Sequence, residues 1–482
     1  MHLGSQLAVG GFLVAMTLVG SAQPVFRGTE IFPAGEFAAR REKVIAQIGD
    51  AVAIVLGATE PPGENPFRQN SQAFYLSGVV EPRAVLLIDG RTKRTTVFLQ
   101  PADVRRDTSM FGPAPAPGSE TAKALGVDAV LSRAEFTAAV TALANDRRTI
   151  YTPFAAEALG SQSQGDPTRM WAANKADPWD GRDSREAAFI DKLKLAAPSS
   201  EIKNLDPIVN ALRAVKSPRE IAILREATKI AGDGIIAAMR RARPGVHEYE
   251  LQAEAEYVFK NGGALGASYF ALIATGKNTY YTHYHRNTTA LADGDLVQFD
   301  YAPDYKNYVS DVTRVFPANG KFSARQREFY TVYLRLYQAL LTSIQVHARA
   351  ADIIKEAVVK MDRILAGYSF TDDKIKQAAV QFVDRYRNSR ANSLGHTIGM
   401  EVHDVRNPNQ TLEPGLLFTI EPAMTIPDEH IGIRLEDVIL ITETGYENLS
   451  AFVPVEVDAI EKVMAEPGLS DAMHRETPVP KR

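Results

Sequence analysis

Acidic residues stand within stretches that otherwise have the pattern of buried strands. Asp300 lies near the end of the apolar run 296–302, and Asp311 follows eleven positions later within residues 308–316. Side chains alternate along a strand, so Asp311 shares a face with valines, and a carboxylate there is costly unless it is paired or bound to a metal. With a turn near residues 305–307 the two stretches would pair as a hairpin. A divalent cation would then relieve the repulsion between the two carboxylates.

Two further acidic residues and a histidine repeat this pattern in the last third of the chain. Glu421 ends the apolar run 416–421 and Glu436 lies within the run 433–441. His396 lies between this pair and the two aspartates, in a Gly-His-Thr-Ile-Gly string. Mainly oxygen ligands favour a hard or borderline ion such as Mn2+ over a purely structural Zn2+. Carboxylates can also bridge a pair of ions that together activate water and polarise a carbonyl. Taken singly, each residue is better explained as a strand-end, turn or loop residue, whereas together they would need five separate explanations of that kind.

Composition excludes several classes of protein. The chain has 482 residues, of which 45% are hydrophobic and 23% are charged, so we expect a soluble globular protein of two or three domains. The net charge of −4 gives no sign of a nucleic-acid binder. There are no cysteines, which excludes disulfides, a thiol nucleophile, iron–sulfur clusters and thiolate zinc sites.

The elements that must position these residues fall into two regions. From about residue 30 to 194 strands alternate with helices, which predicts an α/β domain. In this region we predict strands at 51–56, 84–88 and 95–99, helices at 122–125 and 134–143, a surface loop at 112–118 and a long loop or insertion at 160–185.

The second region begins near residue 205 and has an α+β pattern. Ser217, Pro218 and Glu220 predict a helix start, with a capping serine, a proline at the first helical position and a capping-box glutamate. Further helical patterns lie at 246–261, 323–350 and 371–387, and strands are predicted at 296–302, 308–316, 416–421, 433–441 and 451–457.

The first 22 residues are not expected to be part of the fold. They contain no charged side chain, and small residues precede Gln23, which resembles a signal peptide of an exported, periplasmic or secreted protein. The alternatives are a mis-chosen start codon or an uncleaved anchor. Beyond this segment no apolar run reaches the ~20 residues of a spanning helix, so no stable membrane span is expected. The expected divisions are a signal peptide at 1–22, an N-terminal domain at 23–204, a second domain at 205–465 and a flexible tail at 466–482.

The ordered set of motifs resembles the proline-specific branch of the methionine aminopeptidase and creatinase superfamily, the pita-bread metallopeptidases. The matching strings are residues 276–284, 300–302, 311–314, 395–404, 419–422 and 433–437. Residues 67–78 with Glu81 and Pro82 resemble the N-terminal domain of Xaa-Pro aminopeptidases (aminopeptidase P) and prolidases. The resemblance covers roughly residues 35–460. It implies an α+β protein in which a pita-bread catalytic domain follows a smaller, creatinase-like α/β domain.

The resemblance also implies a site with two divalent metal ions, with Mn2+ the first choice and Zn2+, Co2+ or Fe2+ the alternatives. Asp300 and Asp311 would hold one ion and His396 and Glu421 the other, with Asp311 and Glu436 as bridging ligands. A hydroxide between the ions would attack the scissile carbonyl.

Four residues are implied to act on the substrate. Glu421 would shuttle the proton, and His283 and His403 would contact the substrate and stabilise the tetrahedral intermediate as oxyanion donors. Arg434 lies two residues before Glu436 on the same strand face, so it can pair with a site carboxylate or a substrate carboxylate.

Three positions depart from the usual pattern of the proline-specific members. Asn392 stands where they have a histidine, Thr425 where they have a tyrosine, and Ala302 where they have a glycine. The five predicted ligands therefore match better than the substrate pocket does.

The resulting prediction is an exported metallo-aminopeptidase that removes the residue before proline from short peptides, as a dimer or tetramer. The alternatives are a prolidase and an aminopeptidase with relaxed proline specificity. A binding protein of the same fold, or a metal-free relative such as creatinase, would have lost metal ligands, whereas all five are present.

Overall fold

A six-stranded mixed sheet organises the N-terminal part of the chain. The structure, a computed structural model, describes residues 27–61, 67–101, 115–158, 160–163, 165–407, 409 and 411–469. The strands of this sheet are β1 (Val52–Leu56), β2 (Val85–Asp89), β3 (Arg94–Leu99), β4 (Ala129–Ser132), β5 (Ile150–Thr152) and β6 (Ile202–Asn204). Their order is β4-β3-β2-β1-β5-β6, in which the β1–β2 and β2–β3 pairs are antiparallel and the other pairs are parallel. The three strands predicted in this region are confirmed as β1, β2 and β3.

Seven helices in the described residues surround this sheet. They are α1 (Arg27–Ile31), α2 (Ala34–Ile48), α3 (Ser71–Ser77), α4 (Ser119–Leu125), α5 (Phe136–Asn145), α6 (Gly165–Ala176) and α7 (Arg185–Ala196). Of the two alternatives predicted for 160–185, a long loop or an insertion, the loop is wrong, because α6 occupies its centre. Only Pro167 of α6 is buried, so its sequence shows no apolar face by which a helix could be recognised.

Two helices lead from the sheet into the C-terminal part. They are α8 (Asp206–Ala214) and α9 (Pro218–Arg241). The predicted start of α9 is confirmed, since Ser217 Oγ accepts from the Glu220 amide and the Glu220 carboxylate accepts from the Ser217 amide. The buried face of α9 packs against α10 (Glu248–Asn261).

The C-terminal part combines short antiparallel sheets with an outer layer of helices. Its strands are β7 (Gly266–Ala267), β8 (Leu272–Thr275), β9 (Leu296–Asp300), β10 (Pro303–Tyr305), β11 (Tyr308–Val309), β12 (Thr313–Pro317), β13 (Leu417–Ile420), β14 (Ala423–Ile426), β15 (Ile431–Arg434), β16 (Asp437–Thr442) and β17 (Gly445–Asn448). Its remaining helices are α11 (Ala324–Leu341), α12 (Ala350–Gly367), α13 (Asp373–Arg387) and α14 (Val457–Met464). The sheets are β8-β9-β12, β13-β16-β17, β14-β15 and β7-β10-β11. The architecture confirms the predicted fold class.

Two predicted strands are interrupted where their acidic residues lie. The predicted turn near 305–307 is confirmed, with Lys306 and Asn307 both at positive φ as in a tight hairpin. The strand pairing then continues between β9 and β12, with Asp300 opposite Thr313, and residues 310–312 lie outside it. The second predicted strand, 433–441, is likewise divided between β15 and β16. These interruptions correct the prediction of continuous strands at 308–316 and 433–441.

Two further predictions are wrong, one of a helix and one of a strand. The pattern at 323–350 is not one helix, because α11 ends at Leu341 and a separate α12, which was not predicted, begins at Ala350. The apolar run 451–457 is no strand, because Pro454 has no amide to donate. Its carbonyl groups instead accept hydrogen bonds from buried side chains, as Val455 O does from the Tyr330 hydroxyl.

Some predictions fall on residues outside the described part of the chain. They are the signal peptide at 1–22, the beginning of the loop at 112–118 and most of the tail at 466–482. Within the described residues, no helix has both the length and the apolar character needed to cross a membrane.

Candidate metal centre

Asp300 and Asp311 lie on either side of one tyrosine hydroxyl. Asp300 ends β9, and Asp311 lies in the short break before β12. The Tyr269 hydroxyl is 2.6 Å from Oδ1 of each aspartate. One hydroxyl proton can be donated to only one acceptor at a time, so the two carboxylates share a single donor. Tyr269 was missed by the sequence reasoning, since no motif marks it.

His396 lies among three of the four carboxylates. Its Nε2 is 3.2 Å from Glu421 Oε1, 3.5 Å from Asp311 Oδ2 and 3.6 Å from Glu436 Oε1. Its Nδ1 lies 3.2 Å from the carbonyl oxygen of Thr397. An Nδ1–H directed at that carbonyl would leave the Nε2 lone pair facing the carboxylates, which is the arrangement of a metal-binding histidine.

The loop before His396 is fastened to the neighbouring strand by its backbone. The carbonyl of His396 accepts from the Thr419 amide of β13 at 2.8 Å. A Cβ atom at Gly395 would lie 1.9 Å from the carbonyl oxygen of Thr419, so only glycine permits this approach. The glycine noted in the motif therefore positions the histidine.

Glu436 is the most deeply buried of the four carboxylates. Its side chain is 1% exposed, and Oε2 accepts from the Thr313 hydroxyl at 2.8 Å. Oε1 has no hydrogen-bond partner among the described residues and faces His396. A charged carboxylate oxygen without a donor is costly when buried, so either a proton or a bound cation would stabilise this oxygen.

Buried tyrosines of α11 hold the backbone around Glu421 and Glu436. Tyr333 donates to the carbonyl of Pro422 at 2.6 Å and accepts from the Leu435 amide at 2.7 Å. Tyr337, one turn further on, contacts Asp437 at 2.7 Å. The sequence reasoning missed these residues because their partners lie about a hundred positions away.

The electrostatics show that the site has an excess of negative charge. Burial raises the pKa of Asp300 to about 7, with Asp311 adding to the rise and Arg434 opposing it. Burial together with Asp311 and Glu421 raises the pKa of Glu436 well above its usual range. Burial acts against a charged His396, but its carboxylate neighbours outweigh it and raise the histidine's pKa well above its usual value.

Arg434 contacts the same cluster from the end of β15. Its guanidinium forms an ion pair with Asp300, and its Nη1 lies 3.5 Å from Glu421 Oε2. The structure thus places Arg434 against site carboxylates, one of the two possibilities left open by the sequence.

The two predicted substrate histidines are placed differently. The ring centroid of His403 lies 4.0 Å from that of His396, and burial together with His396 lowers the pKa of His403. His283 is exposed and follows the turn Gly276–Tyr280. Within the described residues its side chain makes no hydrogen bond or ion pair with the other predicted site residues.

These observations fit the divalent ions that were predicted. Atoms of Asp311, His396 and Glu436 lie within 4.8 Å of one another, and Asp300 and Glu421 adjoin them. The donor set of four carboxylates and one imidazole suits hard or borderline divalent ions. Without ions, the raised pKa values of Asp300, Glu436 and His396 mean that protons compensate the negative charge of the cluster, and bound divalent cations would take the place of these protons.

Comparisons with known proteins assign both parts of the chain. Residues 222–443 match the metallopeptidase family M24, and residues 37–151 match the aminopeptidase P N-terminal domain. The chain is 34% identical over 456 residues to an Xaa-Pro aminopeptidase of Escherichia coli, covering 89% of this chain and 97% of that protein.

Solved structures agree with this assignment. Proline aminopeptidase P II from Yersinia pestis superimposes with a TM-score of 0.71 at 30% identity, over 90% of this chain and 99% of that one. Aminopeptidase P from Escherichia coli with the inhibitor Pro-Leu gives a TM-score of 0.70 at 28% identity, over 91% of this chain and 99% of that one. The chain therefore belongs to the Xaa-Pro aminopeptidases of metallopeptidase family M24.

Proposed function

We propose that the protein hydrolyses the bond between an N-terminal residue and a following proline, using two divalent ions for which Mn2+ is the first choice. The observation that carries this proposal is the convergence of four buried or half-buried carboxylates and His396 from separate segments of the chain. The names of the relatives support the substrate class, since the Escherichia coli protein is an Xaa-Pro aminopeptidase and its structure holds the inhibitor Pro-Leu.

The five residues divide between two ion positions. We assign Asp300 and Asp311 to one ion and His396 and Glu421 to the other, with Asp311 and Glu436 as bridging ligands. When bound, the ions would lower the pKa of a coordinated water and polarise the scissile carbonyl.

Glu421 is the carboxylate best placed to move a proton. Its side chain is 30% exposed, whereas those of Asp300 and Glu436 are 4% and 1% exposed. It therefore combines contact with His396 and access to a substrate. Arg434, ion-paired with Asp300, orients that carboxylate and holds positive charge at the base of the site.

His403 and His283 would interact with the substrate from outside the cluster. The lowered pKa of His403 keeps its imidazole neutral near pH 7, so that one ring N–H can donate to the oxygen on which negative charge develops. His283 is exposed, so a peptide can reach it.

The test compares hydrolysis of an Xaa-Pro-Xaa tripeptide, an Xaa-Pro dipeptide and a matched Xaa-Ala-Xaa tripeptide with added Mn2+. Asp311→Asn is the control. Release of the residue before proline from the tripeptide, lost in Asp311→Asn, is the expected result. Cleavage of the dipeptide alone would make the enzyme a prolidase, and cleavage of the alanine peptide would show that the pocket around Asn392 and Thr425 has lost its requirement for proline. No metal-dependent hydrolysis of any peptide would overturn the proposal.

We further propose that the protein is exported. The support is the uncharged, apolar segment at residues 1–22 with small residues before Gln23. Expression in the source organism followed by mass determination should find a chain beginning near Gln23 outside the cytoplasm. A full-length chain confined to the cytoplasm would contradict it.

A further inference from the structure

The segment 400–404, which carries His403, is held by three basic side chains from earlier parts of the chain. Arg68 lies just before α3, Arg213 is near the end of α8, and Lys216 lies in the connection to α9. All three contact this one segment, although it is separated from them by 184 to 332 positions.

Arg68 ties the segment to the hairpin between the two predicted aspartate ligands. Its Nη2 donates to the carbonyls of Met400 at 2.6 Å and Asn307 at 3.1 Å, and its Nε donates to Asp304 at 2.5 Å. Its Nη1 donates to the carbonyl of Gly160 at 2.8 Å. The side chain is 9% exposed, so these bonds are largely shielded from water. One guanidinium thus sets the distance between the His403 segment and the hairpin.

Arg213 and Lys216 hold the two acidic residues on either side of His403. Arg213 Nη2 donates to Glu401 at 2.6 Å and to Asp404 at 2.5 Å, and Lys216 Nζ donates to the other oxygen of Asp404 at 3.2 Å. All four side chains are at most 4% exposed. The positive charges of the arginine and the lysine balance the negative charges of the two acidic side chains. Removal of any one of these four side chains would leave an uncompensated buried charge.

The side chain of His403 has few contacts of its own, although the residue after it is also held by Thr397, whose carbonyl accepts from the Asp404 amide at 3.0 Å and whose hydroxyl donates to the Asp404 carbonyl at 3.1 Å. Its ring packs on that of His396, and its side chain makes no hydrogen bond to the part of the chain that the structure describes. The residue before it is fixed through its backbone, since the Val402 amide donates to the carbonyl of Ser161 at 3.0 Å. The position of the imidazole therefore follows from the position of segment 400–404.

We propose that Arg68, Arg213 and Lys216 are positioning residues, which place His403 for turnover. The inference rests on the proposed function, in which His403 donates to the developing charge. A shift of about 1 Å in such a donor can cost up to about 100-fold in rate. The N-terminal part of the chain thereby contributes to the rate, with no residue of its own in the metal centre.

The test uses the full-length, Mn2+-loaded protein and the variant Arg68→Met, which keeps the aliphatic bulk and removes the hydrogen bonds. We expect kcat for the tripeptide to fall at least about tenfold while KM changes less than about twofold. The decisive measurement is a double-mutant cycle with His403→Ala. If Arg68 acts through His403, Arg68→Met has no further effect on kcat in the His403→Ala protein. Multiplicative losses of kcat would overturn the proposal.

A second readout does not depend on activity. In the metal-free protein, amide hydrogen exchange of the peptide covering 397–405 should become at least about tenfold faster in Arg68→Met, while the core of the β8-β9-β12 sheet is unchanged. Unchanged exchange in 397–405 would overturn the positioning role. This holds even if the wild-type protein cleaved no Xaa-Pro peptide, so failure of the positioning role can be told apart from failure of the proposed function. Arg91→Met, an exposed arginine paired with Asp146, is the matched control.

A conservative variant covers the case in which Arg68→Met does not fold. Arg68→Lys keeps the charge near Asp304 but cannot reach Met400, Asn307 and Gly160 together. We expect it to fold, to retain the wild-type KM and to show the same coupling to His403→Ala. Arg68→Lys with wild-type kcat and wild-type exchange in 397–405 would contradict the positioning role.

Discussion

The hydroxyl of Tyr269 lies at the same distance, 2.6 Å, from Asp300 and from Asp311. Burial and the two aspartates raise the pKa of Tyr269 well above its usual value, so the hydroxyl keeps its proton and acts as a donor. It thereby orients two carboxylates that would otherwise repel each other.

Removal of this hydroxyl should weaken metal binding without unfolding the protein. For Tyr269→Phe we expect a loss of about 10-fold to 100-fold in affinity for Mn2+, the range found for groups that orient metal ligands. Calorimetric titration of the metal-free protein measures it. Tyr301→Phe is the control, because its hydroxyl donates to Glu256 and not to the cluster. Equal affinities in the two variants would contradict the orienting role.

Chelation of divalent ions should destabilise the protein, since the ions would compensate the buried negative charge. At a free Mn2+ concentration of about 100 times Kd, each bound ion should raise the free energy of unfolding by about 2.7 kcal/mol over that of the chelated protein. The change in Tm with and without chelator measures it. In Glu436→Gln this dependence should become smaller, because the variant lacks one of the proposed ligands, and the chelated variant should be about as stable as the chelated wild type, since the raised pKa keeps Glu436 neutral without ions.

Glu157 should make stability depend on pH. Burial raises the pKa of Glu157 to about 7, against the opposing charge of Arg185, and Glu186 adds to the rise. An acid whose pKa is higher in the folded than in the unfolded state contributes stability below the unfolded value of 4.5, and that contribution is lost as the pH rises to about 7. Glu157→Gln should therefore change stability little at pH 5 and raise the free energy of unfolding by about 3 kcal/mol at pH 8.

Denaturant unfolding at the two pH values checks this prediction. The exposed Glu201→Gln is the control, and it should have the same effect at both. An equal change at pH 5 and pH 8 for Glu157→Gln would show that burial does not control its ionisation.

Glu248 should be important for the stability of the segment that carries His283. It is fully buried and accepts from the Thr275 and Thr289 amides at 2.8 and 2.9 Å and from the side chains of Asn278 and Tyr284. Glu248→Ala leaves these donors without an acceptor and should lower the free energy of unfolding by about 3 kcal/mol.

Hydrogen exchange shows whether this loss is local. In Glu248→Ala, exchange should rise first in residues 275–289, whereas the exposed Glu226→Ala on α9 should leave both stability and exchange unchanged. A uniform rise across the protein would mean that Glu248 stabilises the fold as a whole and not this segment.

The sequence was sufficient to group the acidic residues but not to place the residues that support them. Asp300 and Glu421 are visible because each is a charge at the end of an apolar strand, which has few explanations. Tyr269 and Tyr333 are ordinary core residues by sequence, and their roles arise from partners between 31 and 102 positions away. Nothing local encodes such distant pairings.

The errors in secondary structure have a similar origin. The breaks at 310–312 and 435–436 interrupt runs of strand-forming residues, and they exist because Thr313 and Glu436 pair across the two halves of the site. Helix α6 was missed for the opposite reason, since its exposed surface leaves no periodic pattern. The strand breaks were therefore missed because they depend on tertiary contacts, and helix α6 was missed because few of its side chains make any.

The bonds of Arg68 also have a consequence for the order in which the protein assembles during synthesis. Its contact with Met400 closes a loop of more than three hundred residues, and contacts of such separation form late in folding. A ribosome releases Arg68 and Arg213 long before the segment they hold. The contacts that hold the His403 segment can therefore form only after the chain has been synthesised past Asp404, so the order of synthesis places the completion of this arrangement near its end.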